Sequence, residues 1–568
     1  MSDCMKSCRV SSQNRFRMPA AGVQLAVLAC IVIAVFLPSL FAEYSTIDDL
    51  DTLAWLAKQK VFSLKDIFFP TGGAGGYYRP IQTLSQYADR FLWDLDPLAT
   101  HMENVVLHLL NTVWVFFLAR AVVDKSRRRT SCAPLLAGLV FGLHPATTES
   151  INWYSGRTDL LAGFFGFPAL YAGLVWNETR KGLALPVLSI ACALLGLLSK
   201  EAVLGFFIAF PLLLLDPRSA DGHGHLRRWR IYLPLFALSF LTGLFYFRFW
   251  PSILLAIVCF FILFSSRTVG AASGPAYWLP RLLRLATWMT AVTAVVAAGS
   301  YGVRRLVFNK QLPIFWQTVI HIAQDPEYAG GQFMGALAFY VKKFFVPVPL
   351  NFAIREIDPS YSLAGIALLF VTVLMILNRS RASLFFLAGM VALSPALPFV
   401  FGIIAWTSYA ERYMYLAVGL WAVSIALVVE AARYRRAAAG LTAAVVVVFA
   451  VLTFNRNCLW QSNIAMIADT VEKSPRFKLI RGTYLELLYA NGRYEEALQQ
   501  YHIAVTLPDV GYNPEYDLLY AHILYKMGEK DQARKALDLV ESKSKKYTER
   551  VRQVRSSLKL QAPTTVMP

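Results

Sequence analysis

About thirteen apolar runs, most near the length a helix needs to cross a bilayer, divide this chain of 568 residues. The first covers 20–42. Others lie near 104–123, 132–145, 158–177, 182–198, 202–216, 231–248, 250–265, 284–303, 361–377, 382–404, 412–430 and 438–454. In hydrocarbon a chain must satisfy its own backbone N–H and C=O groups, which makes runs of this length helices. Composition agrees: with 56% hydrophobic residues and a mean hydropathy of +0.47, too little polar side chain remains to cover a soluble body. The expected fold class is all-α, a polytopic membrane protein of about 11–13 transmembrane helices.

The formal charge of +19 would suggest nucleic acid as a partner for a soluble chain. Here the basic residues fall in short loops at 124–130, 179–182, 216–230, 265–284, 378–381 and 431–436, where they set orientation, so no nucleic-acid partner is expected. Lys6, Arg9, Arg15 and Arg17 precede the first run, which is longer than a signal-peptide core and has no small-residue cleavage site followed by a soluble domain. It reads as a retained first span behind a cytoplasmic tail, 1–20. An odd number of spans then puts the loop at 42–103, the segment His144–Asp159, the corner Ser199–Glu201, the stretch 304–360, Glu411–Arg412 and the chain beyond 455 on the opposite, outer side. Arg304, Arg305, Lys310, Lys342 and Lys343 on that side go against the charge rule; either a local anionic partner or ordinary headgroup contact would hold them there. Gly335–Pro347 reads as an interfacial helix with its lysine pair at the polar edge. The seven cysteines are scattered, which indicates neither a disulfide framework nor a metal knuckle.

From about residue 456 the chain becomes polar and helix-forming. Tyr484, Leu485, Leu488 and Tyr489 lead to Gly492, Tyr494, Glu496 and Ala497; Leu518, Ala521 and Tyr525 lead to Gly528, Asp531 and Ala533. The glycines stand 36 positions apart (528 minus 492), near the roughly 34-residue period of a tetratricopeptide repeat. The expected organisation is a membrane domain over 21–455, containing the outer loop 42–103 and the interfacial segment 304–360. A tetratricopeptide-like helical domain over 456–560 and a disordered tail over 561–568 follow.

Polar residues recur at the outer mouths of successive spans. Asp48, Asp49 and Asp51 follow the first span, and Arg79 precedes the second. His144, Glu149, Arg157 and Asp159 lie together, as do Lys200 with Glu201 and Glu411 with Arg412 and Tyr413. Charges this close to hydrocarbon are expensive to keep and mark candidate sites. Asp48 and Asp49 cannot both aim at one point if helical, because adjacent residues do not share a face. No HExxH, paired CxxC, Walker loop or nucleophile elbow occurs. Gly72–Gly76 reads as a hinge, His223 and His225 as loop residues, and His101 and His108 as polar helix residues. No cofactor is required, and a divalent metal is not indicated. One carboxylate beside several cations, open to a leaflet, suits displacement of phosphate from a sugar carried on a long lipid. The carboxylate takes a proton from the incoming hydroxyl, and the cations stabilise the departing phosphate.

The motifs read Tyr78-Arg79-Pro80, His101–His108 as HxxNxxLH, His144–Glu149 as HPxxTE, Gly156–Asp159 as GRxD, Leu198–Glu201 as LSKE and Ala410–Leu416 as AERxxYL. Together with the acidic pair they resemble the C-type integral-membrane glycosyltransferases, and more narrowly the transmembrane and tetratricopeptide-repeat O-mannosyltransferases and their bacterial relatives. The resemblance implies a C-type glycosyltransferase fold and an inverting transfer from a polyprenyl-phosphate sugar to a protein, lipid or glycan. It implies that Asp48 or Asp49 is the catalytic carboxylate, Asp48 being the first choice. Arg79, Arg157, Lys200 and Arg412 would lie near the lipid phosphate, with His144, Glu149, Asp159, Glu201, Glu411 and Tyr413 supporting the pocket. The short loops and the lack of a retention signal suggest a bacterial inner membrane, with periplasmic loops and repeats. The short repeat array departs from the eukaryotic members and weakens the case for a large protein acceptor. Two rivals are a membrane-anchored tetratricopeptide scaffold for envelope assembly and a lipid-linked sugar flippase, which would need polar residues along a path through the bilayer.

Overall fold

The structure, a computed structural model, describes residues 20–68, 78–123, 131–179, 182–213, 312–378, 380–507 and 514–560. The runs expected at 231–248, 250–265 and 284–303 lie outside these residues, as do Gly72–Gly76, His223, His225, Arg304, Arg305 and Lys310. The described chain is helical, and its one extended pairing is an antiparallel bridge between Ile354 and Tyr409. Six described helices are long and apolar enough to cross a membrane: Ala21–Phe41, Pro97–Val122, Tyr154–Thr179, Ser360–Asn378, Glu411–Ala431 and Arg435–Leu459. Arg381–Ala392 and Ser394–Phe401, bent by 40°, make a seventh if they form one span. The protein is an all-α, multi-pass membrane protein.

Helix starts follow local chemistry. Asp96 accepts the Ala99 N–H at 2.9 Å just ahead of Pro97, and Asp325 accepts the Tyr328 N–H at 2.9 Å ahead of Pro326. Each cap satisfies an orphan donor, and the proline has no N–H to waste. Away from the caps, buried polar ties set the packing. Asn111 donates to the Leu160 carbonyl and to the Tyr415 hydroxyl, both at 2.9 Å. His108 meets the same hydroxyl at 2.9 Å through Nδ1 and the Gly142 carbonyl at 3.1 Å through Nε2. That pattern makes Nε2 the protonated nitrogen and joins four helices, Pro97–Val122, Ala133–Gly142, Arg157–Thr179 and Tyr415–Ala431. His101 and His108, expected as ordinary polar helix residues, are both fully buried.

The segment from His144 to Asp159 folds back as the short helix Thr148–Asn152 between tight turns, almost wholly buried. The turn lies so close to that helix that a Cβ on Gly156 would stand 3.0 Å from the Ser150 backbone. Gly335–Pro347 is not a separate interfacial helix. It belongs to Pro326–Phe345, whose Ala336, Phe339, Tyr340, Lys343 and Phe344 are buried. Helix periodicity puts Lys343 on that inner face while its neighbour Lys342 stays at the edge.

The C-terminal part contains two helical hairpins, Lys478–Ala490 with Tyr494–Thr506 and Pro514–Lys526 with Lys530–Lys543. Their turns match. Gly492 has φ 74° and Gly528 φ 92°, a backbone that favours glycine. In each, the next residue's N–H reaches back to a leucine carbonyl at 2.9 Å, Arg493 to Leu488 and Glu529 to Leu524. Ahead of them Asn463–Lys473 docks on the loops between the spans through Ala42, Trp153, Phe352, Trp460, Ile467 and Phe477. Phe352 is the hub, its ring 5.2 Å from that of Trp460, 5.5 Å from Trp406 and 5.7 Å from Trp153. Phe352→Ala should cost ~3–5 kcal/mol by leaving a cavity there. Limited proteolysis of the full chain should then cut the Trp460–Phe477 region faster, with the membrane spans still protected.

Candidate functional site

Most of the charged motif residues are partnered across the fold, several by a residue of another motif. Arg79, just before Pro80–Trp93, reaches Glu201 Oε2 through Nη2 at 2.9 Å and through Nε at 3.2 Å. Lys200, beside Glu201, donates to Asp159 at 2.6 Å. Arg412 bonds Glu149 through Nη1 and through its backbone N–H at 3.0 Å. Glu411 accepts from Lys343 at 2.6 Å and from the Asn351 N–H at 3.0 Å. Thus LSKE joins YRP to GRxD, and HPxxTE joins AERxxYL. Such pairs, most of them almost out of solvent, survive because each charge carries its counter-charge with it.

The cations converge. Burial lowers the Lys200 ammonium, Asp159 raises it, and Arg79 and Arg412 lower it again, so both guanidinium groups stand within electrostatic reach of Lys200. Arg412 also lies in an aromatic cage, 4.7 Å from the Trp153 ring, 4.9 Å from Tyr413 and 5.7 Å from Trp406. Burial pushes Glu149 above the usual carboxylate range, and Arg412 draws it back. His144 donates from Nε2 to the Phe344 carbonyl at 2.9 Å and accepts the Ala146 N–H on Nδ1 at 3.2 Å. Burial lowers it to about 4, so it is a neutral strut.

Arg157 stands apart. It is 1% exposed, and its guanidinium meets Asn104 at 2.7 Å, Asp89 at 2.5 Å, Glu103 at 3.1 Å and the Thr100 carbonyl at 2.9 Å. The expected place beside a lipid phosphate is not one this walled-in geometry offers; Arg157 braces Pro80–Trp93 against Pro97–Val122. Asp89, which also accepts the Tyr154 hydroxyl at 2.8 Å, was not among the sequence candidates. Its one signal is being an acid on the buried face of an amphipathic helix. Trp153, Trp406 and Asn351 were also missed, because a lone aromatic or amide carries no motif.

The two acids after the first span differ. Asp49 is fully buried: Oδ2 accepts the Ser45 N–H at 2.9 Å, and Oδ1 accepts the Ser155 N–H at 2.9 Å and its hydroxyl at 2.6 Å. Asp48 is solvent-exposed and has φ 66°, a conformation that costs a non-glycine residue ~1–3 kcal/mol. Desolvation raises its carboxyl, while Arg412 and the Trp406 side chain pull it down. Among the described residues no cluster of three or more His, Cys, Asp and Glu is placed to hold a metal.

No family model matches the chain. Over 132 residues, 23% of its length, it is 31% identical to protein O-mannosyl-transferase Tmtc1 of Drosophila melanogaster. It is 36% identical over 108 residues, 19% of its length, to protein O-mannosyl-transferase tmtc2 of Xenopus laevis. To protein O-mannosyl-transferase TMTC4 of Homo sapiens it is 30% identical over 157 residues, 24% of its length. The matched stretches are 15%, 12% and 21% of those proteins, so the chain spans well under two thirds of the relatives it matches. The archaeal oligosaccharyltransferase AglB from Archaeoglobus fulgidus, solved with an inhibitory peptide and a dolichol-phosphate, aligns at TM-score 0.34 and 13% identity, covering 87% of this chain and 61% of that one. The similarity to O-mannosyltransferases that the motifs imply is therefore found.

Two outcomes follow from the pairs. Glu149→Gln strands the Arg412 charge and should cost about 3–5 kcal/mol, read as thermal unfolding in detergent, with Glu149→Gln/Arg412→Gln recovering part of the loss. Burial raises the Asp49 carboxyl to about 7 against the pull of its donors at Ser155 and Ser45. A raised carboxyl holds its proton more tightly folded than unfolded, so its contribution is full below about 4 and is lost as pH rises through about 7. The melting temperature should decline over that window, and Asp49→Asn should flatten the decline.

Proposed function

We propose that this chain is an inverting glycosyltransferase of the C type that moves a sugar from a polyprenyl-phosphate carrier to a hydroxyl on a protein, lipid or glycan. The reaction takes place at the periplasmic face of a bacterial inner membrane, with the N-terminus cytoplasmic. The observation that carries this reading is the contrast between Asp48 and Asp49. Both Asp49 oxygens are bonded within the fold, whereas Asp48 is exposed and held in a strained conformation, with the Arg412 charge drawing its carboxyl down against desolvation.

In this reading Asp48 accepts the proton of the acceptor hydroxyl as its oxygen bonds to the anomeric carbon. The bond from that carbon to the carrier phosphate breaks with inversion, and the electron pair leaves on phosphate. Because phosphate departs unprotonated, no second carboxylic acid is needed, unlike in glycoside hydrolysis. Arg412, Lys200 and Arg79 supply N–H donors for the charge that develops on the leaving group. Their carboxylate partners hold them aimed before the donor arrives, and Arg157 positions the loop. The 456–560 repeats, docked beside the same loops, would recruit the acceptor or a partner protein.

Asp48→Asn in the purified full chain should slow release of polyprenyl phosphate from a polyprenyl-phosphate hexose by ~10²–10⁴-fold, with thermal stability unchanged. Asp49→Asn should lower stability and lose activity in proportion. Full activity in Asp48→Asn would rule out Asp48 as the base, and no release by the native chain with any hexose carrier would rule out the reaction.

A further inference from the structure

The first outer loop bears a surface that the reaction does not use. Asp49–Ala57, Leu64–Phe68 and Pro80–Trp93 pack around a small core of Leu56, Ile67 and Tyr87, with the Phe62 ring edge-on to Tyr87 and Phe91 at 6.0 Å from each. Outside that core Val61 is 71% exposed, Leu92 67% and Leu64 57%, and Phe62, Phe91 and Trp93 are exposed beside them. A contiguous apolar edge of this kind is costly in water and marks an interaction surface.

The edge continues into a second feature. Pro97–Val122 begins just after Trp93, and on it Leu98, Met102, Val106 and Leu110 are exposed at four-residue spacing. That spacing is one helix face, the stripe that a membrane span turns to lipid. The loop therefore extends a lipid-facing surface to the level where the span leaves the hydrocarbon. At that level lies an open depression lined by Lys60, Arg90, Phe91, Trp93 and Asp94, among others. Arg90 pairs through Nη1 with Asp94, whose side chain is 85% exposed, while its buried Nε donates to no described group. Cationic donors beside tryptophan and apolar side chains form an interfacial site for a phospholipid headgroup.

We propose that the first outer loop is a lipid-docking element: the edge formed by Val61, Phe62, Leu64, Phe91, Leu92 and Trp93 seats in the interfacial layer, and Lys60 with Arg90 grips a phospholipid phosphate. The leaflet then supplies the burial that the three-residue core lacks and steadies the helix that begins beside Asp48. This inference does not depend on the proposed reaction.

The full chain, carrying a photoreactive benzophenone residue at Leu92 or at the exposed tail position Ile503, would be reconstituted in vesicles of phosphatidylethanolamine and phosphatidylglycerol. Irradiation should give phospholipid adducts at Leu92 severalfold above those at Ile503; equal yields at the two positions would overturn the docking. For the phosphate grip, native mass spectrometry should show retained phosphatidylglycerol falling severalfold in Lys60→Gln and in Arg90→Gln, and inorganic phosphate should not displace it. Unchanged retention in Lys60→Gln, whose exposed side chain can be altered without disturbing the fold, would overturn the grip even if Arg90→Gln failed to fold. Displacement by inorganic phosphate would show a free-anion site instead.

Discussion

The bond between Arg412 and Glu149 is the constraint on which the rest of the charged face depends. Neither charge could remain so deep alone, since desolvating a single ion costs several kcal/mol, whereas together they are tolerable. Satisfying both forces the turn after Ala133–Gly142 to fold inward against the start of Glu411–Ala431. Trp153 is thereby brought over the guanidinium, and Ser155 is set where Asp49 accepts its two hydrogen bonds. The loop after the first span is thus anchored by a carboxylate that has no oxygen left for chemistry, and the neighbouring Asp48 is left exposed. Strain at Asp48 persists because the residue after it is pinned on both sides.

The same logic extends around the face. Arg79 with Glu201, Lys200 with Asp159, and Lys343 with Glu411 each join segments far apart in the chain, and each cation is preorganised by its own acid. Preorganised donors have little reorganisation left to undergo when charge develops near them, the physical advantage of such clusters in catalysis. The tail is coupled to this assembly. Asn351 donates its backbone N–H to Glu411 and its side-chain amide to Ser474 at 2.9 Å, so the end of the helix that leads into the hairpins is linked through Asn351 to the residue beside Arg412. Docking through Phe352 and its tryptophans keeps the repeats on the side where Asp48 opens.

Much of this was legible along the chain. Apolar run length identified the helices and the membrane, because a backbone in hydrocarbon has few ways to satisfy itself. The 36-position spacing of Gly492 and Gly528 anticipated two matching turns, because a left-handed residue must recur wherever the same hairpin does. The motif residues Glu149, Asp159, Lys200, Glu201, Glu411 and Arg412 all lie at the pairs. The surroundings of Arg157 are not legible in the sequence: a buried arginine bonded to Asp89 and one facing a phosphate look identical in a string of letters. Lys343 was expected with Lys342 at a polar edge, because its partner Glu411 lies 68 positions away and leaves no mark on the local pattern.

The sequence by itself determined the helical, membrane-spanning class, the sites of the turns and the set of charges to be reconciled, since each of these is decided by neighbours within a few turns of chain. Only the tertiary structure decided which charge answers which. Arg412 and Glu149 are 263 positions apart and Arg79 and Glu201 are 122 apart, and electrostatic attraction depends on distance in space and carries no trace of distance in sequence. The same holds for Asp48 and Asp49, adjacent and chemically identical, which were separated only when Ser155 came from the far side of two spans to occupy one of them.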